Sequence, residues 1–221
     1  MSIVKQLIFI HIPKTAGTSI RVLASSTFGK DYTRCPHVKK NTKIVLNEQA
    51  VFTDLRHISA GVLLSEGIIS REWWNNAVKL AVVRNPWDRL VSMYHSMKKQ
   101  GRYKKYPIFD CFSTFATEIS SSSRWIKPVC GYSTNKLSHA NPQVEWLKWG
   151  VDVVLRFESL ESDWSSLCER VGIHCKALPH LEKSDRKKYQ DYYDDDLAER
   201  VGRFYQEDAS RFSYTFDQEE Q

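Results

Sequence analysis

The chain has 221 residues, with 32 Lys and Arg against 26 Asp and Glu and a net charge of +6. That length holds one compact domain with a sizeable core and is short for two. No apolar run approaches the roughly 20 residues that cross a bilayer, and the first residues lack the pattern of a secretory signal, so a cytoplasmic protein without a membrane span is expected.

Five cysteines, Cys35, Cys111, Cys130, Cys168 and Cys175, are irregularly spaced and fit reduced thiols better than a disulfide framework. The positive balance favours an anionic partner without choosing among nucleic acid, a membrane surface and a small polyanion.

In chain order, "QLIFIHI" is a short apolar run rich in β-branched residues and predicts a buried strand. The following "TSIRVLASSTFG" places Ile20, Leu23, Ala24 and Phe28 on one helical face. Residues 29 to 50 are polar and read as a long loop. "VFTDLRHISAG" is a short apolar segment that ends at His57, ahead of a helix headed by Ser59. "VKLAVVRNP" at 78 to 86 predicts a second strand, and "WDRLVSMYHSMKKQG" a helix with Leu90, Met93, Tyr94 and Met97 on one face. Residues 120 to 143 again read as a loop. "VDVVLRFESL" predicts a third strand, and Leu160, Trp164, Leu167, Cys168 and Val171 a third helix, with Gly172 as its C-cap. At the C-terminal end, Leu197, Val201, Phe204 and Tyr205 keep helical register, which predicts one long closing helix. Three strand-to-helix units imply an α/β fold with a parallel sheet.

In such a sheet, ligands gather at the carboxyl ends of the strands. The first strand-to-helix loop, "PKTAGTS", offers backbone N–H groups at a helix start, the hydroxyls of Thr15, Thr18 and Ser19, a permissive Gly17 and the cation Lys14, an inventory suited to phosphate or sulfate. The Walker A order is absent, because the lysine precedes the glycine. Arg84 stands at the carboxyl end of the second strand, where a guanidinium can grip a phosphate in bidentate fashion. Ser92 follows two helical turns later.

"HIPKTAGTSI" followed some 65 residues later by "VVRNPWDRLVSMY" resembles the paired nucleotide-binding signatures of sulfotransferases that use 3′-phosphoadenosine 5′-phosphosulfate (PAPS). The wording is most similar to the carbohydrate sulfotransferase branch, as are "VLRFESLESDW" and "YYDDDLAERVGRFYQEDASRFSYTF". The resemblance spans most of the chain and is thinnest over 29 to 50 and 102 to 142. It implies a single sulfotransferase domain over residues 1 to 221, with a P-loop-kinase-like fold in which helices flank a central parallel sheet. It further implies that Lys14, Thr15, Ala16, Gly17, Thr18 and Ser19 wrap the 5′-phosphosulfate, with Lys14 at the bridging oxygen. Arg84 and Ser92 would hold the 3′-phosphate, and His57 would be the general base that takes the acceptor proton. The donor is then PAPS, the product adenosine 3′,5′-bisphosphate, and the acceptor a hydroxyl, on a carbohydrate by branch resemblance. No metal is called for. The absence of a membrane anchor departs from the Golgi members of that branch.

Blander readings stand beside these. Arg84 fits a surface salt bridge, Ser92 a small inward-facing helix residue, Lys14 an ordinary strand exit, and His57 a helix cap. His11 reads as a core histidine and His95 as a second-choice base. Glu158 either orients the acceptor or braces Arg156, and Lys183, Ser184, Arg186 and Lys187 either close over the nucleotide or begin a solvated helix. Cys168, His174, Cys175 and His180 match no usual zinc spacing. Tryptophans 73, 74, 87, 125, 146, 149 and 164 are core residues or the lining of a sugar cleft. A nucleotide or small-molecule kinase is the alternative enzyme class, but it wants a Walker A lysine and an acidic magnesium ligand where Arg84 stands. A nucleic-acid or polyanion binder would use the charge, yet acids and bases are interleaved and no binding motif is present.

Overall fold

A computed structural model describes residues 7–20, 22, 32–34, 43–46, 50–53, 64, 70–99, 110–121, 139–171 and 186–217. Its strands are β1 (Leu7–Ile10), β2 (Tyr32–Arg34), β3 (Lys43–Leu46), β4 (Ala50–Thr53), β5 (Val78–Val83) and β6 (Val153–Arg156). They form one sheet in the order β2-β3-β4-β1-β5-β6. β1 runs parallel to β4 and β5, and β5 parallel to β6, whereas β2, β3 and β4 pair antiparallel.

The three strands expected from apolar runs are therefore β1, β5 and β6, which lie side by side. The expected loop over 29 to 50 is corrected: β2, β3 and the first residue of β4 lie within it. The expected loop over 120 to 143 is corrected at both ends, where Ser120 and Ser121 close a helix from Phe112 and Gln143 opens a 3-10 turn to Leu147, while residues 139 to 142 are irregular as expected.

Strand alternation sends β1 into two cores. Ile8, Ile10 and Ile12 join Ala81 and Val83 of β5 on one face, whereas Phe9 joins Leu80 and Val82 on the other. A strand buried on both faces needs a nearly continuous apolar sequence, which "LIFI" and "LAVV" supply. The first core is covered by α2 (Pro86–Lys99), α3 (Phe112–Ser121) and α5 (Asp195–Phe204), through Leu90, Met93, Phe115, Ile119, Leu197 and Val201. The second is covered by α4 (Leu160–Val171), through Leu160, Trp164, Leu167 and Cys168, together with Ile20 from the helix opening at Gly17. A short α1 (Arg71–Asn76) leads into β5.

The single closing helix is corrected as well. A 3-10 turn at Tyr189–Tyr192 precedes α5, and the chain breaks at Tyr205 before α6 (Gln206–Phe212). Tyr205 leaves the helical region at φ −103° and ψ 26°, while its buried hydroxyl donates to the carbonyl of Ala140 at 2.9 Å. That tether outside the helix fixes where the helix turns. Asp194 caps α5, its carboxylate accepting from the Leu197 N–H at 2.8 Å.

Cys168 is disulfide-bonded, which corrects the expectation of a reduced thiol there, whereas Cys111 is free as expected; Cys35, Cys130 and Cys175 lie outside the described residues. No described helix is long and apolar enough to cross a membrane.

Candidate active site

β1 ends beside β5, so the loops that follow the two strands meet. After Ile10 the chain passes through His11, Ile12 and Pro13 into a turn in which Lys14 (φ 67°) and Ala16 (φ 65°) both adopt the left-handed conformation. Non-glycine residues rarely do so, and the cost is borne where surrounding contacts over-determine it. Those contacts are visible. The Thr15 side chain is fully buried and its hydroxyl donates to the carbonyl of Ile12 at 2.9 Å. The Ile20 N–H donates to the carbonyl of Ala16 at 3.1 Å as the helix starts. Alternating left-handed residues at a helix start turn successive N–H groups toward one concavity, a nest for an anion.

Gly17 plays a different part from the one expected. It is not among the positive-φ residues. Instead a Cβ at Gly17 would lie 1.7 Å from Nε2 of His11, so the imidazole fills that space and must move aside for any side chain at position 17. The ring of Phe9 stacks on that imidazole, with centroids 5.7 Å apart.

Arg84 follows β5 and is buried, with 7% exposure. Its Nη1 donates to the carbonyl of Lys14 at 3.1 Å, which joins the two loops directly. Nε and Nη2 reach Asp88 Oδ2, each at 2.6 Å, and the guanidinium lies 3.8 Å from the Phe157 ring centre. The salt-bridge reading of Arg84 thus holds in part, although the bridge is buried. Three of the five guanidinium N–H donors are engaged in these contacts, which leaves two for a further acceptor.

Asp88 was not singled out from the sequence, yet it is central. Its other oxygen receives Nη2 of Arg186, and all three side chains are less than a tenth exposed. Its four-residue spacing from Arg84, across a helix start, was the available signal.

Helix α2 begins by rule. Pro86 occupies the first turn, Asn85 Oδ1 accepts from the Trp87 N–H at 3.1 Å, and the Asn85 carbonyl accepts from the Arg89 N–H at 2.8 Å. Ser92, half-buried, lies one turn beyond Asp88 on this helix. Trp87 locks the helix to the C-terminal region: its indole donates to the carbonyl of Ala198 at 2.9 Å and its carbonyl accepts from Tyr193 at 2.9 Å.

Two further shells hold Arg84 in place. Gln143, fully buried, accepts from the Arg84 N–H at 2.9 Å and donates to the Arg84 carbonyl at 2.8 Å. Asp208 in turn accepts from the Gln143 and Val144 N–H groups at 2.8 and 2.9 Å. Burial pushes the Asp208 carboxyl above its ordinary range, while Arg89 and these donors pull it back. Nothing in the sequence marked Gln143 or Asp208, because both act through folding that brings distant segments together.

Glu158 is a brace. One oxygen accepts from the Asn85 N–H at 2.7 Å and the other from the Tyr214 hydroxyl at 2.8 Å. Burial, then the adjacent carboxylate, pushes the Tyr214 phenol up. Asn85 Nδ2 also donates to the carbonyl of Thr215 at 3.0 Å.

His95 lies on α2 with Nε2 2.9 Å from the Tyr192 hydroxyl. Desolvation, then Arg186 and Lys98, lower its pKa. His57, the expected base, lies outside the described residues, as do Lys183, Ser184, His174, Cys175 and His180. Trp74, Trp87, Trp146 and Trp164 are core, and Trp149 is 54% exposed. Among the described residues no group of His, Cys, Asp and Glu could hold a metal ion.

A two-sided α/β sheet, a left-handed turn after its central strand and a buried arginine that bonds to that turn from the neighbouring strand make an arrangement suited to a phosphate or sulfate group. The model of the sulfotransferase family matches residues 1–215, and the chain belongs to that family. No curated protein and no solved structure was found to match it.

Proposed function

We propose that the protein transfers a sulfuryl group from PAPS to a hydroxyl of a carbohydrate acceptor, acting as a single domain. The observation that carries this reading is the 3.1 Å contact from Arg84 Nη1 to the Lys14 carbonyl. A nucleotide with phosphates at both its 5′ and 3′ positions needs two adjoining anion sites, and this contact makes the nest and Arg84 neighbours. The nest, with Lys14, Thr15, Ala16, Gly17, Thr18 and Ser19, takes the phosphosulfate. Arg84 and Ser92 take the 3′-phosphate.

In the reaction the acceptor oxygen attacks sulfur while the bond from sulfur to the bridging oxygen breaks. The electron pair stays on the departing phosphate, and the acceptor proton passes to His57. Lys14 and the loop N–H groups stabilise the growing negative charge, an effect of about 2.7–4 kcal/mol per well-placed donor. The base contributes about 10²- to 10⁴-fold in rate. The roles of His57 and Ser92 and the choice of a carbohydrate rest on the family resemblance of the sequence.

The test is thermal stabilisation by adenosine 3′,5′-bisphosphate, followed by transfer of labelled sulfate from PAPS to a panel of glycans and small hydroxyl compounds. Stabilisation by the bisphosphate, with label on a glycan that His57→Ala no longer transfers, is expected. Stabilisation by ATP with magnesium alone would sink the donor assignment, and label only on small non-sugar alcohols would sink the acceptor assignment.

A further inference from the structure

The close approach of His11 to Gly17 points to a role that a core histidine would not have. His11 is the residue after β1, half-buried, with Phe9 stacked beside it on the same face of the chain. Its imidazole occupies the volume a Cβ on Gly17 would take, with Nε2, Cδ2 and Cε1 at 1.7, 2.2 and 2.4 Å from that position. Gly17 is the first helical residue after Lys14, Thr15 and Ala16. The ring therefore lies against the downstream end of the strained turn, while Arg84 holds its upstream end at the Lys14 carbonyl.

We infer that His11 is a positioning residue that props the loop 14–19 in its anion-binding shape before the donor arrives. This inference rests on the donor site proposed above and deepens it. Left-handed Lys14 and Ala16 are conformations an unsupported loop leaves readily. With the ring in place, Gly17 cannot settle toward β1, and the intervening residues keep their turn. Without it, the loop samples other shapes, and the donor binds only the fraction that remains competent. Apparent donor affinity falls by that fraction, whereas turnover on the filled site does not. A residue of the chemical step would show the opposite split.

The experiment combines His11→Ala, His11→Gln, Gly17→Ala and the double variant His11→Ala/Gly17→Ala. Binding of adenosine 3′,5′-bisphosphate is measured by calorimetry, donor KM and kcat by labelled-sulfate transfer, and stability by urea unfolding. His11→Ala is expected to raise the bisphosphate Kd and the donor KM about tenfold or more, with kcat at saturating donor and acceptor KM near wild type. His11→Gln, which retains reach and a polar tip, is expected to recover most of that loss. Gly17→Ala must expel the ring or lift the loop, so it is expected to weaken bisphosphate binding at least as much as His11→Ala does. Adding Gly17→Ala to His11→Ala is expected to cost little further, because the methyl enters vacated space in a helix that prefers alanine.

Equal penalties for Gly17→Ala with and without His11, in both binding and urea stability, would overturn the inference. So would a collapse of kcat at saturating donor in His11→Ala. If wild type ignores the bisphosphate while the urea cycle still shows coupling between positions 11 and 17, the donor reading falls and the prop stands.

Discussion

The side-chain amide of Gln143 closes on both polar groups of the Arg84 peptide, accepting from its N–H at 2.9 Å and donating to its carbonyl at 2.8 Å. The residue that ends β5 is thereby fixed by a segment 59 positions away in sequence. Gln143→Ala leaves both groups buried without that partner, at a cost of about 1–3 kcal/mol each. Urea unfolding is expected to show a loss of about 2–6 kcal/mol, and donor affinity is expected to fall with it as Arg84 loosens. A variant within about 0.5 kcal/mol of wild type would mean that water replaces the amide without penalty.

Asp88 stands between two buried arginines, Arg84 and Arg186. Removing one member of a buried ion cluster typically costs about 3–5 kcal/mol, because the remaining charges lose their counterion. Asp88→Ala is expected to lower stability on that scale in the free protein. Phosphate or bisphosphate should then stabilise the variant more, in relative terms, than wild type, since an anion beside Arg84 partly replaces the carboxylate. Equal gains in the two proteins, read by thermal unfolding, would separate Asp88 from the anion site.

His95 predicts a pH dependence. Burial and the positive charges of Arg186 and Lys98 lower its pKa below the ordinary 6.5, with Tyr94 and Tyr192 as its ring neighbours. The folded chain therefore binds this proton less readily than the unfolded chain. The stability His95 contributes is full above about pH 6.5 and is lost as pH falls from there through the lowered folded value. Urea midpoints at about pH 7.5 and about pH 5.5 are expected to differ more for wild type than for His95→Gln. Identical differences would assign the dependence to another group.

Cys111, exposed just before α3, has its Sγ 3.3 Å from the Ser113 hydroxyl and 3.0 Å from the Thr114 hydroxyl, and hydrogen bonds from these to the thiolate lower the thiol pKa to about 7. Alkylation by iodoacetamide, followed at Cys111 by peptide mapping, is expected to reach half its maximal rate near pH 7. In Ser113→Ala/Thr114→Ala the midpoint should move up toward the free-thiol value of about 8.5. An unmoved midpoint would show that these hydroxyls do not hold the thiolate.

What the sequence revealed followed the strength of its local patterns. β1 and β5 were legible because strands buried on both faces are continuous apolar runs, and β6, an edge strand with Val154 exposed, because "VVL" is a short β-branched run. β2 and β3 were not, because "YTR" and "KIVL" are short and sit among polar residues and breakers. Lys14 to Ser19 and Arg84 were legible as strand-end chemistry. Gln143, Asp208 and Asp88 were missed because their roles depend on partners brought together by the fold. The reason for Gly17 was misread for the same cause: a glycine's tolerance of positive φ is a local property, whereas the imidazole that occupies the space of its missing Cβ is a tertiary one.

The tail of the described chain has a bearing on synthesis. Tyr214 and Thr215 bond to Glu158 and Asn85, at the residue after Arg84, while the nest to which Arg84 reaches was made some 200 residues earlier. A nascent chain can pair β1, β5 and β6, but the arginine end of the site lacks its last two ties until residues 214 and 215 leave the ribosome. Growth of the chain and closure of the site are thus ordered in time: the nest is translated well before the contacts that steady its partner.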